Sequence, residues 1–135
     1  MIAAAALAVF AASSCATKSD YEFHPPGAFT RFDEPKSRVN PEQATKDATL
    51  DIETGNLTIC RYDILPIGGY RGDYFEILKR FGLKEAFWPD ATLAYARSYN
   101  RVIDRELRRK HGLRYLAVRS RIMPMKNAVP WYEKS

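Results

Sequence analysis

Hydrophobic and polar residues alternate in two short stretches near the middle of the chain. Leu50 and Ile52 alternate with acidic residues, and Leu57 and Ile59 alternate with threonine and cysteine. A period of two is typical of strands that bury one face. The intervening Gly55-Asn56 favours a two-residue hairpin turn. The pattern predicts a β-hairpin whose apolar face packs on helices.

A cluster of apolar residues with helical spacing follows the glycine-rich stretch "PIGGYRGD". Asp73 is a suitable N-cap, and Glu76 three residues later completes a capping box. Gly82 is placed to end the helix in a left-handed conformation, with Leu83 folding back onto it. The segment therefore predicts a short helix whose apolar face consists of Tyr74, Phe75, Ile77, Leu78 and Phe81.

The longest helical pattern follows Pro89, which disfavours a helical conformation at the residue before it. Asp90 is the expected cap, and we predict a helix over residues 91–111 that ends at Gly112. At about 100° per residue, one stripe of side chains is apolar and predicts the core-facing side of the helix. This stripe consists of Tyr95, Tyr99, Ile103 and Leu107, with Ala96 beside it.

The segment "LRYLAVRSRIMP" alternates again and predicts a C-terminal strand. Leu116, Val118 and Ile122 share one face, and Pro124 ends the strand. Joined to the hairpin, this strand makes a small antiparallel sheet with the two helices packed on one side. We therefore expect an α+β fold for residues 49–135.

The N-terminal segment differs from the rest in composition. Residues 2–12 are all apolar, and this run of eleven is too short to span a bilayer as a helix. It has the length of the apolar region of a secretory signal. Ala12 is the last residue of the run, and Ser13, Ser14 and Cys15 follow it. These residues resemble the lipobox of bacterial lipoproteins, an aliphatic residue followed by two small residues and a cysteine. The resemblance covers about the first 16 residues only.

The lipoprotein resemblance implies a location. It implies that residues 1–14 are a signal peptide and that the Cys15 thiol carries lipid after cleavage. Ala16 then favours the outer membrane, facing the periplasm, over the inner membrane. The signal departs from the family in having no Lys or Arg before the apolar run, which a start codon further upstream would supply.

The stretch after the cysteine predicts a tether. Residues 16–48 contain four prolines and many charges without sustained periodicity, a composition that favours an irregular chain. The expected organisation is a signal peptide over residues 1–14, a lipidated cysteine and largely irregular tether over 15–48, and a folded domain over 49–135.

Charge is distributed unevenly along the chain. The net charge is +5, yet residues 97–126 alone contain ten basic and two acidic residues. On the predicted long helix, the side chains opposite the apolar stripe include four arginines within an arc of about 80°, with Asp104 at its edge. This arginine face predicts an anion-binding surface, and an ordinary solvated helix face is the alternative. The four residues are Arg97, Arg101, Arg105 and Arg108.

The partner of the arginine face stays open between an anionic polymer, an anionic lipid and a protein. Arginine favours bidentate contacts with phosphate or carboxylate groups. Arg119 and Arg121, on the predicted C-terminal strand, are candidates to extend this surface.

Catalytic and metal-binding patterns are not found in the sequence. It contains no G-x-G-x-x-G, G-x-x-x-x-G-K or G-x-S-x-G motif and no cluster of cysteine and histidine, so we expect no cofactor and no metal. Cys60 is predicted beside the carboxylates of the hairpin, which disfavour its thiolate. His111 has no evident partner for a role as a base.

Three functions are compatible with these patterns. The favoured one is a membrane-anchored envelope lipoprotein whose non-enzymatic domain presents the arginine face to an anionic partner. The alternative is a cytosolic nucleic-acid-binding domain with a misannotated N-terminus, because arginines at i, i+4 and i+8 are able to follow a phosphate backbone. A small hydrolase with an unrecognised site is the weakest of the three hypotheses, since no residues in the sequence indicate a catalytic site.

Overall fold

The computed structural model describes residues 21–22, 30–31, 33, 36–61, 70–123 and 130–132. The residues predicted as a signal peptide, the predicted lipid acceptor Cys15 and Pro124 lie outside the described residues. The strands are β1 Tyr21–Glu22, β2 Thr30–Arg31, β3 Thr58–Arg61, β4 Tyr70–Arg71 and β5 Lys84–Phe87. The helices are α1 Pro41–Glu53, α2 Tyr74–Arg80, α3 Leu93–His111 and α4 Leu113–Val118, followed by a 3₁₀ turn at Arg119–Arg121.

The fold class is α+β, as predicted, but the arrangement of the strands is different. The main sheet has the order β2-β5-β3, and both of its pairings are parallel. β1 and β4 pair separately in an antiparallel manner. The predicted antiparallel sheet of a hairpin and a C-terminal strand is therefore wrong, because only β3 of those three segments is a strand.

The segment predicted as the first strand of the hairpin forms the C-terminal part of the helix α1. This helix begins with Pro41 in its first turn, and the Asn40 side chain accepts hydrogen bonds from the backbone N–H groups of Glu42 and Gln43. Ala44 and Ala48 are buried at helical spacing, whereas Leu50 is 57% exposed. Residues 41–48, predicted as irregular tether, are therefore helical and packed.

The Gly55-Asn56 pair ends this helix instead of forming a hairpin turn. Gly55 has φ of +76°, and its N–H donates to the Ile52 carbonyl at 3.2 Å. The Asn56 N–H donates to the Asp51 carbonyl at 2.7 Å, which completes a Schellman motif. Glycine with a positive φ suits both structures, so the pair alone does not distinguish a helix end from a hairpin.

The short helix α2 confirms its prediction, including its end. All five residues of the predicted apolar face are buried. Leu83 N–H donates to the Leu78 carbonyl at 2.8 Å, and Gly82, with φ of +66°, donates to Lys79 at 3.1 Å. The predicted capping box is wrong, because Asp73 makes no side-chain cap hydrogen bond and pairs with Arg71 and Arg121.

The long helix α3 is confirmed nearly over its predicted length. It ends at Gly112, and Thr92, not Asp90, caps its first turn by accepting from the Tyr95 N–H at 3.2 Å. The residues of the apolar stripe are completely buried. They face α1, where the Tyr95 hydroxyl donates to Asp47 at 2.6 Å and the Tyr99 hydroxyl donates to Asp51 at 2.5 Å.

The segment predicted as a C-terminal strand is helical, so this prediction is wrong. It forms α4 and the 3₁₀ turn that follows it. Tyr115 and Ile122 are buried, and Val118 and Arg119 between them are half-buried. These positions follow the helical spacing i, i+3, i+4 and i+7. The alternation of Leu116 and Val118 was the weaker signal, since Leu116 remains 44% exposed.

Candidate anion-binding surface

The arginine face lies on α3 opposite the buried stripe. Arg97, Arg101 and Arg105 are all exposed, because residues four apart on this helix share a side and that side points away from α1. Within the part of the chain that the structure describes, Arg97 and Arg105 form no ion pair with a carboxylate. Their guanidinium groups therefore remain available to a ligand in solvent.

Arg108 differs from the other members of the face because it is engaged inside the protein. Its Nε and Nη2 atoms donate to the Asp104 carboxylate at 3.1 and 2.8 Å, and its side chain is 40% exposed. Two hydrogen bonds to the same carboxylate oxygen restrain the guanidinium group. Arg108 therefore contributes less to an open anion-binding surface than the sequence pattern implies.

Asp104 is the centre of a buried polar cluster. The residue is 4% exposed and accepts hydrogen bonds from the Tyr115 hydroxyl, from Arg108 and from Arg119, the last at 2.7 Å. The sequence placed Asp104 only at the edge of the arginine face. On a helical wheel, Asp104 lies beside the buried Leu107, three residues later. This position indicates that its carboxylate is buried, and a buried carboxylate requires cationic or hydrogen-bonding partners.

Arg119 and Arg121 do not extend the open arginine face. Arg119 is paired with Asp104, and its guanidinium carbon lies 3.8 Å from the centre of the Tyr132 ring. Arg121 pairs with Asp73 at the start of α2. Both side chains connect the C-terminal segment to the rest of the domain, because the segment is helical and not part of the sheet.

Asn100 is a buried polar residue that the sequence patterns did not indicate. Its side-chain oxygen accepts from the Cys60 N–H at 2.8 Å, and its amide nitrogen donates to the Cys60 carbonyl at 2.9 Å. The carbonyl groups of Leu57 and Arg61 pair with β5, so the backbone groups of Cys60 point to the other edge of β3. Asn100 satisfies that edge in place of another strand.

The Cys60 thiol is buried and poorly suited to nucleophilic chemistry. Burial raises its pKa to about 12, while Arg38 opposes this shift and Asp90 adds to it. The expectation of a disfavoured thiolate is thus confirmed, but burial is the main cause and the predicted neighbours on a hairpin face are wrong. The reactive form of a cysteine is the thiolate, which this environment suppresses.

His111 lies at the end of α3, where the sequence predicted it. Its ring packs edge-on against Phe81 with centroids 5.0 Å apart. Burial lowers the pKa of His111, and the positive charges of Lys110 and Arg114 lower it further. The histidine is therefore mainly neutral at pH 7, and its ring contacts the core.

A second charged cluster lies where the parallel strands end. Arg38 is 1% exposed, and its guanidinium group lies 4.1 Å from the centre of the Trp88 ring. It donates to Asp33 and Asp90 at 3.4 Å each. Because Arg38 pairs with carboxylates on both sides, the cluster connects the segment before α1 to the loop before α3.

Comparisons with known proteins leave the family open: no protein-family profile, curated protein or solved structure matches the chain. Among the helices that the structure describes, none has the length and hydropathy needed to cross a membrane. The described residues likewise contain no group of three or more histidine, cysteine or acidic side chains arranged to hold a metal ion.

Proposed function

We propose that the protein is a lipid-anchored component of the bacterial cell envelope whose folded domain binds an anionic partner through the arginine face of α3. The observation that carries the binding role is the exposure of Arg97 and Arg105 without ion pairs to described residues. Arginines four residues apart on this face, such as Arg97 and Arg101, repel one another by a few tenths of a kcal/mol per pair. Binding of an anion relieves this repulsion.

The anchor part of the proposal is supported by the sequence around Cys15 and by the position of β1. β1 pairs with β4, and only residues 16–20 separate Cys15 from Tyr21. An extended chain of this length reaches about 20 Å. A lipid on Cys15 would therefore keep the folded domain next to the bilayer surface.

The experiment has two arms, and the first tests the anchor. Cys15→Ser should abolish incorporation of radiolabelled palmitate and release the protein from the detergent-extractable membrane fraction. Cys60→Ser is the matched control, because it removes the other cysteine of the chain and should change neither result. Membrane association without any lipid label on the wild-type protein contradicts the anchor.

The second arm tests the arginine face on immobilised heparin. Arg97→Gln combined with Arg105→Gln should weaken retention about tenfold or more, since each cation near an anionic surface contributes about 1 kcal/mol. Added salt should weaken the wild-type interaction because it screens exposed charges. The control variant, Lys79→Gln with Arg80→Gln, removes the same charge from exposed positions on α2.

The two outcomes of the second arm separate specific from general electrostatics. A selective loss in the α3 variant supports the arginine face as the binding surface. Equal retention of both variants contradicts it. A wild-type protein that is found in the cytosol and prefers duplex DNA to heparin would support the nucleic-acid alternative instead.

A further inference from the structure

The outer side of α4 is apolar, which is the reverse of an ordinary surface helix. Leu113 is 83% exposed and Leu116 is 44% exposed. Ala117 is exposed beside them, and the three positions lie on one side because they are three and four residues apart. Tyr115 points to the opposite side and is completely buried. We refer to Leu113, Leu116 and Ala117 as the α4 outer face.

Packing fixes the direction in which the α4 outer face points. The Tyr115 hydroxyl donates to Asp104 on α3, and the Tyr115 ring packs edge-on against Phe81 of the segment that follows α2. Arg119, one turn later, also donates to Asp104 at 2.7 Å. The polar and aromatic side of α4 is thus satisfied inside the domain, so the leucines do not turn inward without breaking these contacts.

Cations lie next to the α4 outer face along the chain. Arg114 lies within α4, and Lys110 lies in the last turn of α3; both are exposed. Both also lower the pKa of His111 through their charges, which places them around the junction of the two helices. Arg109 adds a third exposed side chain, although it is paired with Glu106 at 2.7 Å. Leucines with cations beside them complement an anionic lipid surface better than a neutral apolar one.

A series of contacts joins β1 to the turn that follows α4. β1 pairs with β4, and Arg71 of β4 pairs with Asp73. Asp73 in turn pairs with Arg121, the last residue of the 3₁₀ turn that follows α4. These contacts join β1, the described strand nearest to Cys15 along the chain, to the 3₁₀ turn after α4, so a lipid on Cys15 would bring this part of the domain to the bilayer.

We infer that the α4 outer face is a membrane-docking surface that inserts Leu113 and Leu116 into an anionic bilayer. This inference rests on the proposed lipid anchor, and it names the bilayer itself as an anionic partner of the domain. The leucines supply apolar contact with the acyl region, while Lys110 and Arg114 contact lipid phosphates. A basic and apolar patch of this kind would act beside the lipid anchor and hold the domain itself against the bilayer.

The test measures co-sedimentation of the chain from Ala16 to Ser135 with vesicles, so that neither the apolar N-terminal run nor a covalent lipid contributes. The vesicles contain phosphatidylglycerol and phosphatidylcholine in equal parts, with pure phosphatidylcholine as the neutral comparison. Leu113→Ser combined with Leu116→Ser should weaken binding to the anionic vesicles about tenfold or more, given the transfer free energy of a leucine side chain. Heparin retention, which depends on charge, should change little.

A matched control removes two leucines that are exposed elsewhere. Leu50→Ser combined with Leu93→Ser alters side chains that are 57% and 45% exposed on α1 and α3, and vesicle binding should be retained. Circular dichroism must show the same helix content in all variants. Unchanged vesicle binding by the α4 variant overturns the inference.

The remaining outcomes separate this inference from the proposed function. Heparin retention without binding to anionic vesicles overturns membrane docking and leaves the anionic partner of the arginine face in place. Failure to bind either heparin or anionic vesicles contradicts both the proposed function and membrane docking. A dimer that dissociates in the α4 variant identifies a second copy of this chain as the occupant of the face, which also overturns membrane docking.

A second measurement reports insertion directly. Leu113→Trp should show fluorescence quenching by phosphatidylcholine with brominated acyl chains in anionic vesicles, because its indole enters the acyl region. Leu50→Trp should show no more quenching than the parent protein, whose described tryptophans Trp88 and Trp131 are buried. Equal quenching of the two variants overturns the orientation that we infer.

Discussion

Asn100 occupies a position where a polar side chain is costly unless it is fully hydrogen-bonded. It lies in the middle of α3 and is completely buried. Both of its side-chain groups pair with the backbone of Cys60, whose N–H and C=O lie on the open edge of β3. A single amide side chain therefore satisfies two buried backbone groups that otherwise lack a partner.

Asn100→Ala should destabilise the domain by about 2 to 5 kcal/mol, because it leaves both backbone groups of Cys60 buried and unpaired. Urea denaturation followed by circular dichroism measures this loss. Ser98→Ala, at a half-buried position on the same helix, is the control and should cost less than about 1 kcal/mol. Equal losses in the two variants would mean that water reaches the edge of β3.

At the scale of elements, α3 organises the domain. One of its sides packs on α1 through the tyrosine–aspartate pairs, and Asn100 connects it to β3. Asp104 connects it to the C-terminal segment. The helix therefore contacts elements that precede it and elements that follow it in the chain, and its buried stripe forms much of the core.

Ile103→Ala should cost about 2 to 5 kcal/mol of unfolding free energy, in line with other large-to-small changes at fully buried positions. Ile103 is completely buried among the residues of the stripe. Val102→Ala, at the adjacent and only partly buried position, should cost less than half as much. A loss below about 0.5 kcal/mol for Ile103→Ala would show that the core relaxes around α3.

For the whole molecule, buried hydroxyl and thiol groups determine how stability depends on alkaline pH. Burial is the main cause that raises the pKa of four tyrosines well above their usual value, with hydrogen bonds to Asp47, Asp51, Glu85 and Asp104 adding to it. These tyrosines are Tyr74, Tyr95, Tyr99 and Tyr115. Burial also raises the pKa of Cys60 to about 12.

Stability should therefore fall as pH rises above about 9. The unfolded chain loses protons from its thiol and tyrosines near pH 8.5 and 10, whereas the folded chain retains them. A state that binds more protons is disfavoured by rising pH, so each such group contributes a slope of up to about 1.4 kcal/mol per pH unit. Urea denaturation at increasing pH measures the slope. Tyrosinate absorbance should rise with unfolding, and a flat stability profile would contradict protected tyrosines.

Sequence patterns predicted the elements that are amphipathic over several turns. α2 and α3 and their glycine ends were evident because apolar residues recur at 3.6-residue spacing and Gly82 and Gly112 follow directly. Burial along the α3 stripe follows from the same pattern. The same pattern predicted that Arg97, Arg101 and Arg105 are exposed, because they lie on the opposite side of the helix.

Tertiary structure alone decided the secondary structure of the two segments whose hydrophobic periodicity is ambiguous. Leu50 and Ile52 alternate as in a strand, but Asn40-Pro41 caps a helix and the small residues Ala44 and Ala48 let it pack closely on α3. At Tyr115 and Ile122, burial against the core selects the helical spacing over alternation. Local patterns in short segments fit both structures, and long-range packing selects one.

The sequence by itself determined a basic, amphipathic α3 and the lipobox-like residues before Cys15, because both depend only on the order of residues along the chain. The roles of Asp104 and Asn100 required the fold. Their partners Tyr115, Arg119 and Cys60 are between 11 and 40 residues away in sequence. A buried polar group is defined by such distant partners, and only the tertiary structure brings them within hydrogen-bond distance.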